Sequence, residues 1–160
     1  MPSGKTHTSL NLFALPFLLF LLISYGFTSW GFLLWFCGGF VAGTYFLSPD
    51  LDTRSTPYRA WGPLRVLWYP YQVIMPHRSP LTHMPIIGDI LRVLYFVCVS
   101  MPIVYVLDTY VYDMNVKAIL MRYKSELFVI FFGVVTASTL HITVDIMNTR
   151  RKRLWKKIKK

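Results

Sequence analysis

Four long apolar blocks separated by short polar segments constrain this chain more than any other feature. They run from Leu10 to about Ser24, from Ser29 to Leu47, from Pro85 to Leu107 and from Leu127 to about Met147. About 20 mostly apolar helical residues are needed to cross a bilayer core of roughly 30 Å. The last three blocks reach that length, and the first is short enough to be tilted or partly interfacial. We therefore predict an all-α integral membrane bundle of about four transmembrane helices.

The first block resembles a retained helix more than a cleaved signal peptide. Only Lys5 provides positive charge before it, and Ser24–Gly26 makes a poor small-residue cleavage site. We expect this helix to pair with the second block across a turn at Tyr25–Thr28. The prediction is then one membrane-embedded helical domain over residues 1–149, followed by a basic cytoplasmic tail over residues 150–160.

The distribution of positive charge predicts which ends of the helices face the cytoplasm. The chain has 17 Lys and Arg against 7 Asp and Glu, with 54% hydrophobic residues and a formal net charge of +10. With four spans, both termini and the 48–84 loop share one side, and most of the basic residues lie there. Since cytoplasmic segments carry the excess of Lys and Arg, both termini and the long loop between the second and third helices are predicted to be cytoplasmic. For a bacterium this means the inner membrane, of plasma or thylakoid type.

The basic tail has two interpretations. The segment RRKRLWKKIKK could bind nucleic acid, but beside a membrane helix it more often anchors the chain to anionic headgroups. We favour the anchor, with membrane lipids as partners and no nucleic acid. Aromatic residues in the 48–84 loop favour an interfacial belt for the same reason. A short helix is plausible over Tyr58–Leu67.

Histidines and several acids are predicted to collect near the cytoplasmic boundary. His141 and Asp145 are four residues apart on a helix, so they can share a face. Imidazole and carboxylate are ligands for zinc, iron or manganese. The sequence therefore predicts a site for one or two divalent metal ions, with zinc favoured. Its predicted ligands are His7, Asp50, Asp52, His77, His83, His141 and Asp145.

Each of these residues also has a simpler interpretation. His141 and Asp145 could form only a hydrogen-bonded pair, Asp50 could cap a turn after Pro49, and His77 and His83 could be interfacial. These histidines and acids are all predicted to lie at one depth of the membrane, and this favours the metal site. Asp89 and Arg92, three residues apart, favour an internal ion pair, although Arg92 could instead face the pocket and hold a phosphate.

Other polar residues are candidates for binding an anion and for acting as general base at this site. Arg78 beside His77 is the better candidate for binding an anion. Asp50 or Asp52 could act as general base, and the sequence does not divide base from ligand. Cys37 and Cys98 lie within apolar blocks, so neither a disulfide framework nor a cysteine nucleophile is indicated.

The segment LSPDLDTRSTPYRAWGPLRVLWYPYQVIMPHRSPLTHMPIIGDILRVLYF resembles a family of bacterial metal-binding membrane proteins of the type found in cyanobacteria. That family is similar to the YdjM-like inner-membrane metal-dependent hydrolases. The shared pattern is an early His, a PDxD after the second helix, an HR…TH segment before the third and a late HxxxD. The order of these motifs is also similar to that of zinc-dependent phospholipases C and single-strand nucleases, although no HxxxE follows Asp145 here.

The resemblance implies a membrane-embedded metal-dependent hydrolase that acts on a phosphoester, of a lipid or lipid-linked molecule, at the cytoplasmic leaflet. Asp52 would then serve in catalysis and Arg78 would stabilise the developing negative charge. The alternative is a non-catalytic metal-binding membrane protein with a structural or sensing role. A transporter ranks last, because the middle of each apolar block lacks polar groups.

Overall fold

The computed structural model describes residues 4–75, 84–112 and 115–159, and every regular element in these ranges is helical. Short turns of 3-10 helix occupy Pro49–Asp52 and Gly62–Trp68, and a π-helical turn occupies Asp108–Tyr112. The α-helices are α1 (Gly4–Ser24), α2 (Trp30–Tyr45), α3 (Thr56–Ala60), α4 (Tyr69–Ile74), α5 (Ile87–Leu107), α6 (Val116–Arg122) and α7 (Lys124–Ile158).

The prediction of four long apolar helices is confirmed by α1, α2, α5 and α7. Four helical segments are long and apolar enough to cross a membrane, the second of them when α2 is taken together with the 3-10 turn that ends at Asp52. The fourth apolar block was expected to end at about Met147, but α7 continues to Ile158. The residues after Met147 are mostly Arg and Lys, which are good helix formers, and neither Gly nor Pro interrupts them. The predicted basic tail is therefore the last part of a single long helix.

The tightest packing in the protein joins α2 to α7, where the two backbones almost touch. A Cβ atom built on Gly39 would lie 2.1 Å from the carbonyl oxygen of Ile130. One built on Gly133 would lie 2.5 Å from the carbonyl oxygen of Phe36. Glycine is thus required at both positions, as in other helix pairs that pack through small residues. One turn after Gly39, a Cβ built on Gly43 would lie 2.9 Å from the Cα of Val134, one turn after Ile130, so α2 and α7 run parallel.

Two further helices bring their first turns to one end of this pair. In α1, Asn11 donates a hydrogen bond to the carbonyl oxygen of Ala137, 3.2 Å away on α7. In α5, the Asp89 carboxylate accepts a hydrogen bond of 2.6 Å from the Ser138 hydroxyl of α7. The beginnings of α1 and α5, the end of α2 and the middle of α7 therefore meet at one level.

The loop after α2 is more broken than the sequence suggests. The expected helix over Tyr58–Leu67 is wrong: α3 ends at Ala60, and a separate 3-10 turn begins at Gly62. Gly62 has φ +55° and precedes Pro63, and both features oppose continuation of an α-helix.

The aromatic residues of this loop form a core of their own. Trp68 and Tyr71 are each only 1% exposed and pack against Tyr95 and Phe96 of α5. The Tyr95 hydroxyl donates a hydrogen bond to the carbonyl oxygen of Leu67. These two loop aromatics are thus internal, unlike the interfacial belt that was predicted.

The glycine contact between α2 and α7 generates a prediction with a matched control. Gly39→Ala should lower the thermal unfolding midpoint in detergent, because the added methyl group forces the helices apart at a cost of about 1–3 kcal/mol. Gly38→Ala should cause no such loss, since its Cβ would meet nothing within 4 Å. Equal midpoints for the two variants would contradict the observed helix contact.

Candidate metal centre

Side chains from three separate parts of the chain converge where α1, α2 and α7 meet. His7 lies in the first turns of α1, Asp50 in the 3-10 turn that follows α2, and His141 and Asp145 one turn apart on α7. The expected sharing of one helix face by His141 and Asp145 is observed, with His141 Nε2 3.8 Å from Asp145 Oδ2.

The distances in this cluster suit a single metal ion. His7 Nε2 lies 3.1 Å from Asp145 Oδ1, and His141 Nε2 lies 3.5 Å from Asp50 Oδ2. One ligand atom each from His7, His141 and Asp145 lies within 4.8 Å of the other two. Four donors placed tetrahedrally about 2.1 Å from one ion are about 3.4 Å apart. Small side-chain movements would therefore bring these donors to coordination distances.

The unpaired nitrogens of the two buried histidines support this fit. His7 is 5% exposed and His141 is 3% exposed, and their rings stack with centroids 4.0 Å apart. Neither His7 Nδ1 nor His141 Nε2 has a hydrogen-bond partner among the described residues. A buried polar atom without a partner is unfavourable unless something else satisfies it, and a metal ion at His141 Nε2 would do so.

Local hydrogen bonds fix the turn that carries Asp50. The hydroxyls of Thr53 and Ser55 both donate to the Asp50 carbonyl oxygen, at 3.1 and 2.8 Å. From α4, the Gln72 amide donates to the carbonyl oxygens of Leu51 and Thr53, at 2.9 and 3.0 Å. The loop therefore holds the backbone that presents Asp50 to the histidines.

Asp52 lies with a second group of polar residues. Its side chain is 5% exposed, and it is not part of the group formed by His7, His141 and Asp145. Its negative charge affects the pKa of the Tyr71 hydroxyl. Burial raises the pKa of Tyr71, the positive charge of Arg92 lowers it, and the negative charge of Asp52 raises it.

The predicted ion pair between Asp89 and Arg92 is confirmed. Both side chains are fully buried, and an Arg92 amino group contacts Asp89 Oδ1. Ser138 joins them, donating to Asp89 and accepting from Arg92 at 3.3 Å. Arg92 is thus held by its own helix and by α7.

Three predicted site residues, His77, Arg78 and His83, lie outside the described residues. Their assignment as metal ligands and anion-binding residue stays a prediction.

Sequence reasoning missed several polar residues that belong to this region. Asn11, Thr44 and Ser48 line a small polar pocket together with His7, Asp50 and His141. The signal was present in the spacing: Asn11 follows His7 by four residues, and Ser138 precedes His141 by three. Polar residues at helical spacing from a candidate ligand, inside an apolar block, indicate a shared buried face.

These observations define the class of the protein: it is helical and has a cluster of histidines and carboxylates suited to a metal ion. Over residues 2–155 the chain matches the family described as "Uncharacterized metal-binding protein (DUF2227)". The chain belongs to this family, whose members are metal-binding proteins of unknown function.

A shorter match relates the chain to an uncharacterized protein of Aquifex aeolicus (strain VF5). The two are 43% identical over 58 residues, which is 36% of this chain and 40% of the relative. The match therefore spans well under half the length of that relative. No solved structure matches the chain significantly.

The geometry predicts which substitutions remove the metal. His141→Ala and Asp50→Ala should each lose most of the metal that copurifies with the wild-type protein, because each deletes a donor in the cluster. Metal per chain is measured by mass spectrometry on detergent-purified protein. Glu126→Gln, near the start of the same helix as His141, is the control and should keep the full content. Full metal content in both site variants would refute the assignment.

Proposed function

We propose that this protein binds one divalent transition-metal ion between α1, the 3-10 turn after α2, and α7. The observation that supports this most directly is the convergence of donor atoms from His7, His141 and Asp145 to within 4.8 Å. Asp50, 3.5 Å from His141, is the fourth donor in the proposal. Two imidazoles favour zinc, with iron or manganese as alternatives. A second ion would require further donors, for which His77 and His83 are the candidates.

We place this metal site at the cytoplasmic boundary of a bacterial inner membrane. Four helices of sufficient length and hydropathy support insertion. The excess of Lys and Arg in the termini and the 48–84 loop supports a cytoplasmic position for both termini. In this arrangement the basic end of α7 meets anionic lipid headgroups.

This orientation can be tested with reporters fused after Lys160. A green fluorescent protein fusion should fluoresce, because that reporter folds in the cytoplasm, whereas an alkaline phosphatase fusion at the same place should be inactive. The same two reporters inserted after Lys117, in the segment between α5 and α7, should give the opposite pattern. Active phosphatase at the C-terminus would overturn the proposed topology.

A catalytic role is favoured by the composition of the cluster. Catalytic zinc sites keep three protein ligands and one position for water, whereas structural sites have four. Here three residues form the close group, and the side chains of Asp145 and Asp50 are 14% and 20% exposed, against 5% or less for both histidines. The carboxylate side of the cluster therefore faces the more accessible region.

For this role we propose hydrolysis of a phosphoester, of a lipid or lipid-linked molecule. A metal ion held by His7, His141 and Asp145 would lower the pKa of a coordinated water and polarise a phosphoryl oxygen. In this catalytic case water would take the fourth position in place of Asp50. Asp50, 3.5 Å from His141, would accept the proton, whereas the charge of Asp52 acts on the Tyr71 hydroxyl. Arg78 would stabilise the negative charge on the phosphate. Kinship with the YdjM-like hydrolases of inner membranes is part of this proposal.

Turnover of phosphoesters separates the catalytic from the non-catalytic role. Purified protein should hydrolyse a phosphoester presented in mixed micelles, lose this activity on treatment with a chelator, and regain it when metal is restored. His141→Ala should reduce the rate by about a hundredfold or more, whereas Glu126→Gln should not. Bound metal without turnover on a broad panel of phosphoesters would instead support a structural or sensing role.

A further inference from the structure

Asn11 is a buried polar residue that the proposed metal site does not yet use. It lies on α1 one turn after His7 and is only 3% exposed. Burying an amide among apolar helices is unfavourable unless its donors and acceptor find partners. The partners of Asn11 therefore indicate what this side chain does.

The orientation of the Asn11 amide is determined by its neighbours. Its Nδ2 atom donates to Thr44 Oγ1 at 3.1 Å and to the carbonyl oxygen of Ala137 at 3.2 Å. The Ala137 carbonyl can only accept. The Thr44 hydroxyl gives its own proton to the carbonyl oxygen of Phe40, 2.9 Å away, and so accepts from Asn11. Both N–H groups of the amide are thus used, and a flipped side chain would place an oxygen against these acceptors.

The other end of the amide remains without a partner. Asn11 Oδ1 is buried and has no hydrogen-bond donor among the described residues. Asn11 lines the same small polar pocket as His7, Asp50 and His141. A strong acceptor whose orientation is fixed, at a pocket with two imidazoles and a carboxylate, is well suited to a cation.

We infer that Asn11 Oδ1 is a further ligand of the metal ion, an inference that rests on the proposed metal-binding function. With His7, His141, Asp145 and Asp50, it makes a set of two nitrogen and three oxygen donors. More than four donors, most of them oxygen, would shift the preference from zinc, which the two imidazoles favour, toward the alternatives manganese and iron(II). The amide thereby determines coordination number and metal preference.

Cobalt(II) titration of chelator-treated protein tests this, since tetrahedral cobalt absorbs visible light more strongly than five- or six-coordinate cobalt. Wild-type protein should give the weak bands of a higher coordination number. Asn11→Leu, whose side chain has the same branching and the same number of heavy atoms but no donor oxygen, should give stronger bands. Its cobalt affinity should fall by about tenfold or more.

Two further variants separate a ligand from a structural cross-link between helices. Glu126→Gln, near the start of α7 and away from the cluster, is the control, and its spectrum and affinity should match wild type. Asn11→Asp keeps an oxygen donor but places a second oxygen against the acceptors of Thr44 and Ala137, so it should be less stable than wild type without metal. Its added negative charge should give it a larger gain in thermal stability from cobalt, which keeps the test decisive if Asn11→Leu does not fold.

The results distinguish failure of this inference from failure of the metal site. Wild-type spectrum and affinity in Asn11→Leu would overturn the role of Asn11 alone. A gain in thermal stability from cobalt that is smaller in Asn11→Asp than in wild type would do the same, by assigning the amide a purely structural role. A wild-type protein that binds no cobalt would overturn the metal-binding proposal as well.

Discussion

The close approach of α2 and α7 is the constraint on which the rest of the structure depends. Gly39 and Gly133 allow backbone to contact backbone, so the end of α2 lies directly beside the middle of α7. Because the two helices are parallel, the turn after α2 emerges at the level of His141. Asp50 then needs only a short 3-10 turn to come within 3.5 Å of the imidazole. Larger side chains in this contact would separate the helices, and the carboxylate would move away with α2.

Two neighbouring polar clusters on α7 differ in the contacts that their buried polar groups make. At Ser138, the carboxylate of Asp89 contacts the guanidinium of Arg92 and accepts a hydrogen bond from the hydroxyl, so opposite charges within the group join α5 to α7. One turn further along, His141 Nε2 lies 3.5 and 3.8 Å from two carboxylates, but this buried nitrogen makes no hydrogen bond among the described residues. Buried polar groups are normally satisfied, and the exceptions need an explanation. The first cluster is therefore a cross-link between two helices, and the second is the cluster in which a bound ion would satisfy a buried nitrogen.

Much of the fold follows from hydropathy, because apolar blocks of this length have few alternatives to helices that pack together. The meeting of His7, Asp50, His141 and Asp145 follows from helix order and i, i+4 spacing. The break at Gly62 and Pro63 depends on local backbone geometry that a count of helix-forming residues overlooks. The spacing of Asn11 from His7 indicates a shared helix face, but the orientation of its amide depends on contacts with Thr44 and Ala137, which are distant in sequence.

The unbroken course of α7 has a mechanical consequence. A helix of 35 residues at 1.5 Å per residue is about 52 Å long, and after Gly133 it contains neither glycine nor proline to act as a joint. His141 and Asp145 therefore belong to the same rigid helix as the basic residues that follow them. A tilt of the charged end of α7 would therefore move His141 and Asp145 together. His7, on α1, and Asp50, after α2, would not move with them.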